Sequence, residues 1–265
     1  MIKSARYLTH ASTTKGFTLV ELAIVLLIIS LIIVGIMAGQ NLVRSAELRA
    51  TTVQYNEFQL GVNAFIDRYN ELPGDIDNDR YGFSGGCDGG DGDGDEDGLL
   101  EDSDGAIADH DGEIACFWEN LTASPAFIPG NYVAVDGSTD NVIGENMPAM
   151  EYSNRGWGVF FVSTKNYFIT GVISEASSNS YDTANIFVPV DAYSIDLKID
   201  DGVPVAGKVQ ARGAATGAPN TTASTHADAV SSSENACVRT DTTPDEYQFA
   251  ENSAQCTLRF DMDTF

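Results

Sequence analysis

The densest chemistry in this sequence lies between residues 88 and 113, where twelve Asp or Glu stand with no Lys or Arg among them. Their order repeats. Asp95-Glu-Asp97-Gly98-Leu-Leu100 is followed by Asp102-Ser-Asp104-Gly105-Ala-Ile107 and then by Asp109-His-Asp111-Gly112-Glu-Ile114. Each unit reads Asp-x-Asp-Gly-x-aliphatic, at a spacing of seven residues. Alternate carboxylates can curl round a hard cation that takes about six to eight oxygens, and glycine allows the sharp turn between them. The aliphatic residue two places after each glycine can pack inward and anchor the loop. Composition alone would also permit a solvated, disordered acidic tract. The ordered repeat argues against that, as do Cys87 and Cys116, which flank the run and could staple its ends together.

A different carboxylate stands alone. From Phe17 to Ala38 the chain is almost wholly apolar, and Glu21 sits inside that stretch. A carboxylate in hydrocarbon is costly and by default functional. The segment Lys15-Gly-Phe-Thr-Leu-Val-Glu21 resembles the processing site of type IV prepilins, a class shared by pilus subunits and type II secretion pseudopilins. The resemblance covers residues 1 to about 70 and implies three things. A prepilin peptidase cuts after Gly16 on the cytoplasmic face; the new first residue, Phe17, is N-methylated; and Glu21 pairs with the Phe17 amine of a neighbouring subunit during filament assembly. A buried carboxylate needs a cation, and that amine supplies one. The leader, residues 1–16, carries Lys3, Arg6 and Lys15 and no acid, which holds it in the cytoplasm. A secretory signal peptide would place its apolar core before the cut site rather than after it. A plain membrane anchor would have no use for Glu21.

The acidic run also resembles an EF-hand or dockerin-type calcium loop when read from Asp93. That register puts Asp93, Asp95 and Asp97 at the first, third and fifth positions and Gly98 at the sixth. The Leu99 carbonyl, Glu101 and Asp104 then take the seventh, ninth and twelfth. A second ion is possible through Asp102, Asp104, Asp109 and Asp111. The expected cofactor is therefore Ca2+, with magnesium disfavoured by its tighter octahedral demand. Departures from the EF-hand are an aspartate at the last position and Cys87, not a helix, ahead of the loop. Asp196, Asp200 and Asp201 are read as ordinary solvated turn charges.

The formal net charge is −25; the leader contributes +3, leaving the mature chain near −28. Such acidity opposes non-specific nucleic-acid binding, so none is expected. Four cysteines, Cys87, Cys116, Cys237 and Cys256, all follow the apolar segment. They allow three pairings, of which Cys87–Cys116 and Cys237–Cys256 are favoured because each brackets one loop-like segment. An oxidising, exported setting is implied. Catalysis is not expected: the mature chain has two histidines, His110 and His226, and no phosphate-cradling glycine loop followed by Lys-Thr or Lys-Ser.

These groups need elements to hold them. Phe17 to Tyr69 contains no proline, and its second half becomes amphipathic. Leu48, Tyr55, Phe58, Val62, Phe65, Ile66 and Tyr69 recur at helical spacing on one stripe. A single helix over 17–72 is expected, its apolar part 17–38 long enough to span a bilayer at about 20 residues. Its length is about 80 Å at about 1.5 Å per residue. Leu72-Pro73-Gly74-Asp75 is the expected stop. Relatives commonly carry a proline near the membrane exit; here Gly35 and Gly39 are the weak points instead.

Residues 73–265 form the expected head domain, with the acidic loop at 87–116. Gly158–Val162, Tyr167–Ile173 and Ile186–Val190 read as strands. Tyr193–Asp200 reads as helix or strand, and Gly213–Ser233 as an exposed polar loop. The fold expected is α+β and pilin-like: a long N-terminal helix, its first half membrane-spanning, packed on an antiparallel sheet with a calcium-binding loop. The function expected is a structural filament subunit. It would be made as an inner-membrane precursor, processed by prepilin peptidase, and polymerised by inner-membrane assembly machinery into a helical homo-oligomer outside the cell. The alternatives are a periplasmic pseudopilin of type II secretion and a minor, tip-located adhesin.

Overall fold

The computed structural model describes residues 16–83, 94–101, 112–123, 125–134, 142–162, 164–173, 183–212, 237–239 and 245–263. The leader before Gly16, Cys87, Asp93, Asp102, Asp104, Asp109, Asp111 and the polar loop 213–233 lie outside the described residues. The chain divides into two compact units, with the boundary between Ser45 and Ala46.

The first unit is the start of helix α1 (Leu19–Tyr69). Its Leu, Ile and Val side chains are exposed throughout, so this unit does not bury them itself. The helix is long and apolar enough to cross a membrane, judged by length and composition. Gly35 and Gly39 stay helical, because two glycines at about 1 kcal/mol each do not outweigh the surrounding Leu and Ile.

The second unit is the head. Here α1 buries Leu48, Thr51, Tyr55, Phe58, Val62 and Phe65, the amphipathic stripe expected from spacing. The helix ends at Tyr69 because Asn70 takes a left-handed conformation with φ 61°, a residue type that tolerates it at a helix end. The stop therefore precedes Pro73 by three residues.

Strands β1 (Gly156–Val162), β2 (Lys165–Val172), β3 (Val209–Arg212) and β6 (Thr257–Asp261) make one antiparallel sheet in the order β1-β2-β6-β3. Strands β4 (Val238–Arg239) and β5 (Glu246–Tyr247) form a separate two-residue ribbon. The register Tyr167↔Asp261, Phe168↔Phe260 and Val209↔Phe260 sets Phe168 and Phe260 on the face that receives α1. Tyr55 stacks on Phe260 with ring centroids 4.9 Å apart, and Phe58 meets Trp118 at 4.9 Å and Trp157 at 5.5 Å. Such pairs each add about 0.5–1.5 kcal/mol beyond the apolar area they bury. Gln54 fastens the same helix by accepting from the Trp157 indole and the Glu151 amide while donating to the Ala149 carbonyl.

Two expectations are corrected. Ile186–Val190 is not a strand: Phe187 makes only an isolated bridge to Cys256, and Pro189 opens helix α4 (Pro189–Ile199). Proline is pre-organised for the first helical turn, where its missing N–H costs nothing. Gly112–Ile114, read as the last part of the third acidic repeat, instead begins helix α3 (Gly112–Thr122). That helix buries Ile114, Phe117, Trp118 and Leu121 in the core, which outweighs the turn propensity of its first residues. The one-turn helix α2 (Asn78–Tyr81) is capped by Asp77, whose side chain accepts from the Arg80 amide. Cys237 and Cys256 are joined, as the sequence favours; Cys116 is also disulfide-bonded.

Candidate metal centre and the helix N-terminus

Three elements bring carboxylates to one point. Asp75 follows α1, Asp95 lies on the acidic loop and Glu113 stands in the first turn of α3. An oxygen of each lies within 4.8 Å of the others. Asp75 is 1% exposed and Glu113 8%, while Asp95 is open to solvent.

The loop is threaded between the two buried acids. Asp75 accepts from the amides of Glu96 (2.7 Å) and Gly98 (2.8 Å). Glu113 accepts from those of Asp95 (3.2 Å) and Glu101 (2.9 Å). Within the loop, Asp95 accepts from the Asp97 amide and Asp97 from the Leu99 amide, the local Asx turns such residues favour. Asn166 on β2 accepts from the Leu100 amide and donates to the Gly98 carbonyl. Leu100 is then fully buried in the core, which is the anchoring role the repeat suggested.

Two glycines are required by contact. A Cβ on Gly94 would lie 2.1 Å from the Ile76 nitrogen and 2.3 Å from the Asp75 carbonyl carbon. A Cβ on Gly74, at φ 95°, would lie 2.4 Å from the Glu113 carbonyl oxygen. Backbones approach there more closely than any side chain permits.

The electrostatics follow from burial. Desolvation pushes the Glu113 and Asp75 carboxyls above their usual range; the amides they accept from pull the other way, and their acidic neighbours add to the rise. The ion pair at this edge joins Arg80 to Glu96 at 3.7 Å, on the exposed side. Buried carboxylates without a cation are expensive. Oxygen donors converging from three elements suit a hard divalent cation, and a carboxylate that already accepts one amide per oxygen keeps a lone pair for the metal.

Of the residues the sequence put forward as ligands, Asp95 is in this cluster. Asp97 turns its carboxylate to the Leu99 amide. Glu101 contributes its amide to Glu113 and its carbonyl to the Ile114 amide, and Leu99 is half-buried beside them. Asp75 and Glu113 are not among the candidate ligands expected from the sequence. The signal available for Asp75 was Pro73-Gly74-Asp75, a turn that ends a core helix with an acid on it.

Asp196, Asp200 and Asp201 also lie within 4.8 Å of one another. Their oxygens close turns: Asp196 accepts from the Tyr247 hydroxyl (2.8 Å) and the Gly202 amide (3.2 Å), and Asp201 from the Val203 amide. Asp200 accepts from the Lys208 amide. Burial raises the Asp196 carboxyl to about 6.

At the other end of the chain, Thr18 and Glu21 form a reciprocal cap. The Thr18 amide and hydroxyl both donate to Glu21 Oε2, at 2.8 and 2.9 Å, and the Glu21 amide donates to Thr18 Oγ1 at 3.2 Å. This is the Thr-x-x-Glu capping box, which satisfies donors at a helix start.

Residues 12–37 match the family model described as the prokaryotic N-terminal methylation motif. No curated protein and no solved structure matches the chain. Gly16, Phe17 and Glu21 all fall inside the matched stretch, at the head of an apolar helix: the chain carries the prepilin signature of type IV pilins and pseudopilins.

Proposed function

We propose that this chain is the structural subunit of a type IV pilus-like filament on the cell surface. Prepilin peptidase cuts it after Gly16 and methylates Phe17. The inner-membrane assembly machinery then extracts it into a helical homo-oligomer. The observation that carries this reading is the methylation signature followed by exposed Leu, Ile and Val along the first half of α1. That surface suits lipid before assembly and like helices after it. Glu21 changes partner on the way: in the single subunit its carboxylate is held by Thr18, and in the filament it receives the Phe17 ammonium of a neighbour.

The head holds one calcium ion at Asp75, Asp95 and Glu113. What supports this is the convergence of two buried acids and one exposed acid, with amides clamping the loop in place. The cation ties the loop to both helices that carry it. A pseudopilin of type II secretion shares the processing signature and would also use a calcium-stabilised head. Mass spectrometry of sheared surface filaments tests the choice. A methylated Phe17 as first residue of a major filament protein supports the pilin. Loss of exoprotein release on deletion, with no surface filament, would overturn it in favour of the pseudopilin.

A further inference from the structure

Asp196 is a fully buried carboxylate that the filament reading leaves unused. It stands on the buried side of α4 and accepts from the Tyr247 hydroxyl of β5 and the Gly202 amide. The charges beside it are of its own sign, since oxygens of Asp200 and Asp201 lie within 4.8 Å. Among the described residues no cation pairs with it. Lys198 is exposed and about 200° round the helix. Lys208 gives Asp200 its amide and pairs its ammonium with Asp263. β3 packs on α4 as β5 does, but Arg212 alternates to the face opposite its buried Val209 and Ala211. In the ribbon Arg239 stands across from Glu246, which alternates with Tyr247 to the other face.

The element that holds Tyr247 is small. β4 and β5 pair at two positions, and the Gln248 amide donates to the Cys237 carbonyl at 2.9 Å. The buried Tyr247 ring lies 5.9 Å from that of Tyr193 on α4, and the Phe249 ring 5.2 Å from the same partner. The Cys237–Cys256 disulfide ties the ribbon to the start of β6. An element with so few contacts opens locally more readily than the sheet does, and the disulfide keeps it leashed.

We propose that the β4–β5 ribbon is an acid-closed latch, seated on α4 while Asp196 is protonated and loosened when that carboxyl ionises. A buried carboxylate without a cation is costly, and opening the ribbon admits water to it. Protonation keeps both hydrogen bonds, since each oxygen retains a lone pair. Burial moves the Asp196 carboxyl from an ordinary 3.8 to about 6; Tyr247 and Gly202 oppose the rise, and Asp201 and Asp200 add to it. The closed state therefore binds the proton more tightly than the open one. Closure is fully favoured below the ordinary value, and the advantage is lost as pH rises through the raised one. Between the two, each pH unit favours opening by about tenfold. Opening bares Tyr247 and the covered side of Tyr193. Val190 and Leu197 share the Tyr193 face of α4 at helical spacing and, like Phe249, are about half exposed. The latch thus sets how much apolar surface the head presents there.

Hydrogen–deuterium exchange on the mature chain in detergent tests this, with rates corrected for the intrinsic pH dependence of amide exchange. Peptides covering 245–250 report the ribbon, and peptides covering 257–261 report the sheet. From pH 5 to pH 7.5 ribbon protection should fall by about tenfold, while sheet protection does not follow it. Asp196→Asn keeps the shape and both acceptors but cannot ionise, so its ribbon protection should stay constant over that range. Constant protection in the parent overturns the latch. A fall in step with the sheet overturns it too, because the opening is then global. So does an Asp196→Asn protein whose ribbon still loosens with pH. Should that variant not fold, Asp201→Asn removes a neighbouring charge from an exposed position. Its ribbon protection should fall less and level off at lower pH, and a profile identical to the parent's overturns the latch.

Discussion

Calcium should stabilise the head most where the protein most needs its carboxylates ionised. Consider the mature chain in detergent, unfolded by heat with EDTA or with 10 mM calcium. Sites in extracellular modules bind calcium with Kd of about 0.1–1 mM. At about 100 times Kd, a ligand that binds only the folded state adds about 2.7 kcal/mol. For a unit of this size, 1 kcal/mol moves Tm by about 2–4 °C, so the shift at pH 7.5 is about 5–11 °C. The pH dependence has a definite sign. Asp75 and Glu113 have folded values raised above their unfolded ones by burial, so the metal-free head takes up protons on folding. Their destabilising contribution is absent below the ordinary carboxylate range and grows as pH rises through the raised folded values. Metal-free Tm should therefore fall between pH 5 and pH 8, and calcium, which needs the ionised form, should remove most of that fall. The clean variant is Asp95→Asn. Its amide oxygen can still accept from the Asp97 amide, so metal-free Tm should stay within about 1–2 °C, while the calcium shift shrinks to a third or less. Asp75→Asn is a poorer probe, since both its oxygens accept backbone amides. Equal Tm in EDTA and calcium at pH 7.5 would refute the reasoning, as would an Asp95→Asn protein that responds like the parent.

Three further outcomes follow from particular contacts. Glu21→Gln and Glu21→Val should abolish filament formation while leaving the calcium-loaded Tm of the head unchanged; normal filament numbers in either would remove the assembly role. Gly94→Ala should cost about 2–4 kcal/mol, because its Cβ meets the backbone of Asp75 and Ile76 rather than a movable side chain, and it should weaken calcium binding, measured by calorimetry. Tyr247→Phe deprives the buried Asp196 carboxylate of a donor, costing about 1–3 kcal/mol at pH 7.5. That loss should shrink on acidification, because the Asp196 carboxyl titrates near 6; a loss independent of pH would assign the effect to packing alone.

Much of the fold was legible because it is written in periodicity. The buried stripe of α1 and the hairpin β1–β2 appear where spacing and β-branched or aromatic runs placed them. β6 was equally readable: Leu258, Phe260 and Met262 alternate with Thr257, Arg259 and Asp261. It is not among the strands expected from the sequence, and its arginine and aspartate are unusual in a strand with a neighbour on each side. Tertiary context makes them tolerable, with Arg259 over the Tyr167 ring at 4.4 Å and bonded to Gln210, and Asp261 paired with Lys165.

The carboxylates divide the same way. The sequence by itself determined that Glu21 stands at the head of a membrane-length helix, since composition and a contiguous motif need no folding to be read. It also determined that an acidic, glycine-punctuated loop follows that helix. Which acids meet was decided only by tertiary structure. Asp75, Asp95 and Glu113 are separated by 20 and 18 residues, and no local spacing rule reaches that far. They converge because α1 ends beside the start of α3 and both are fixed by the same apolar core. The loop between them has its amides taken up by acids that the core had already placed.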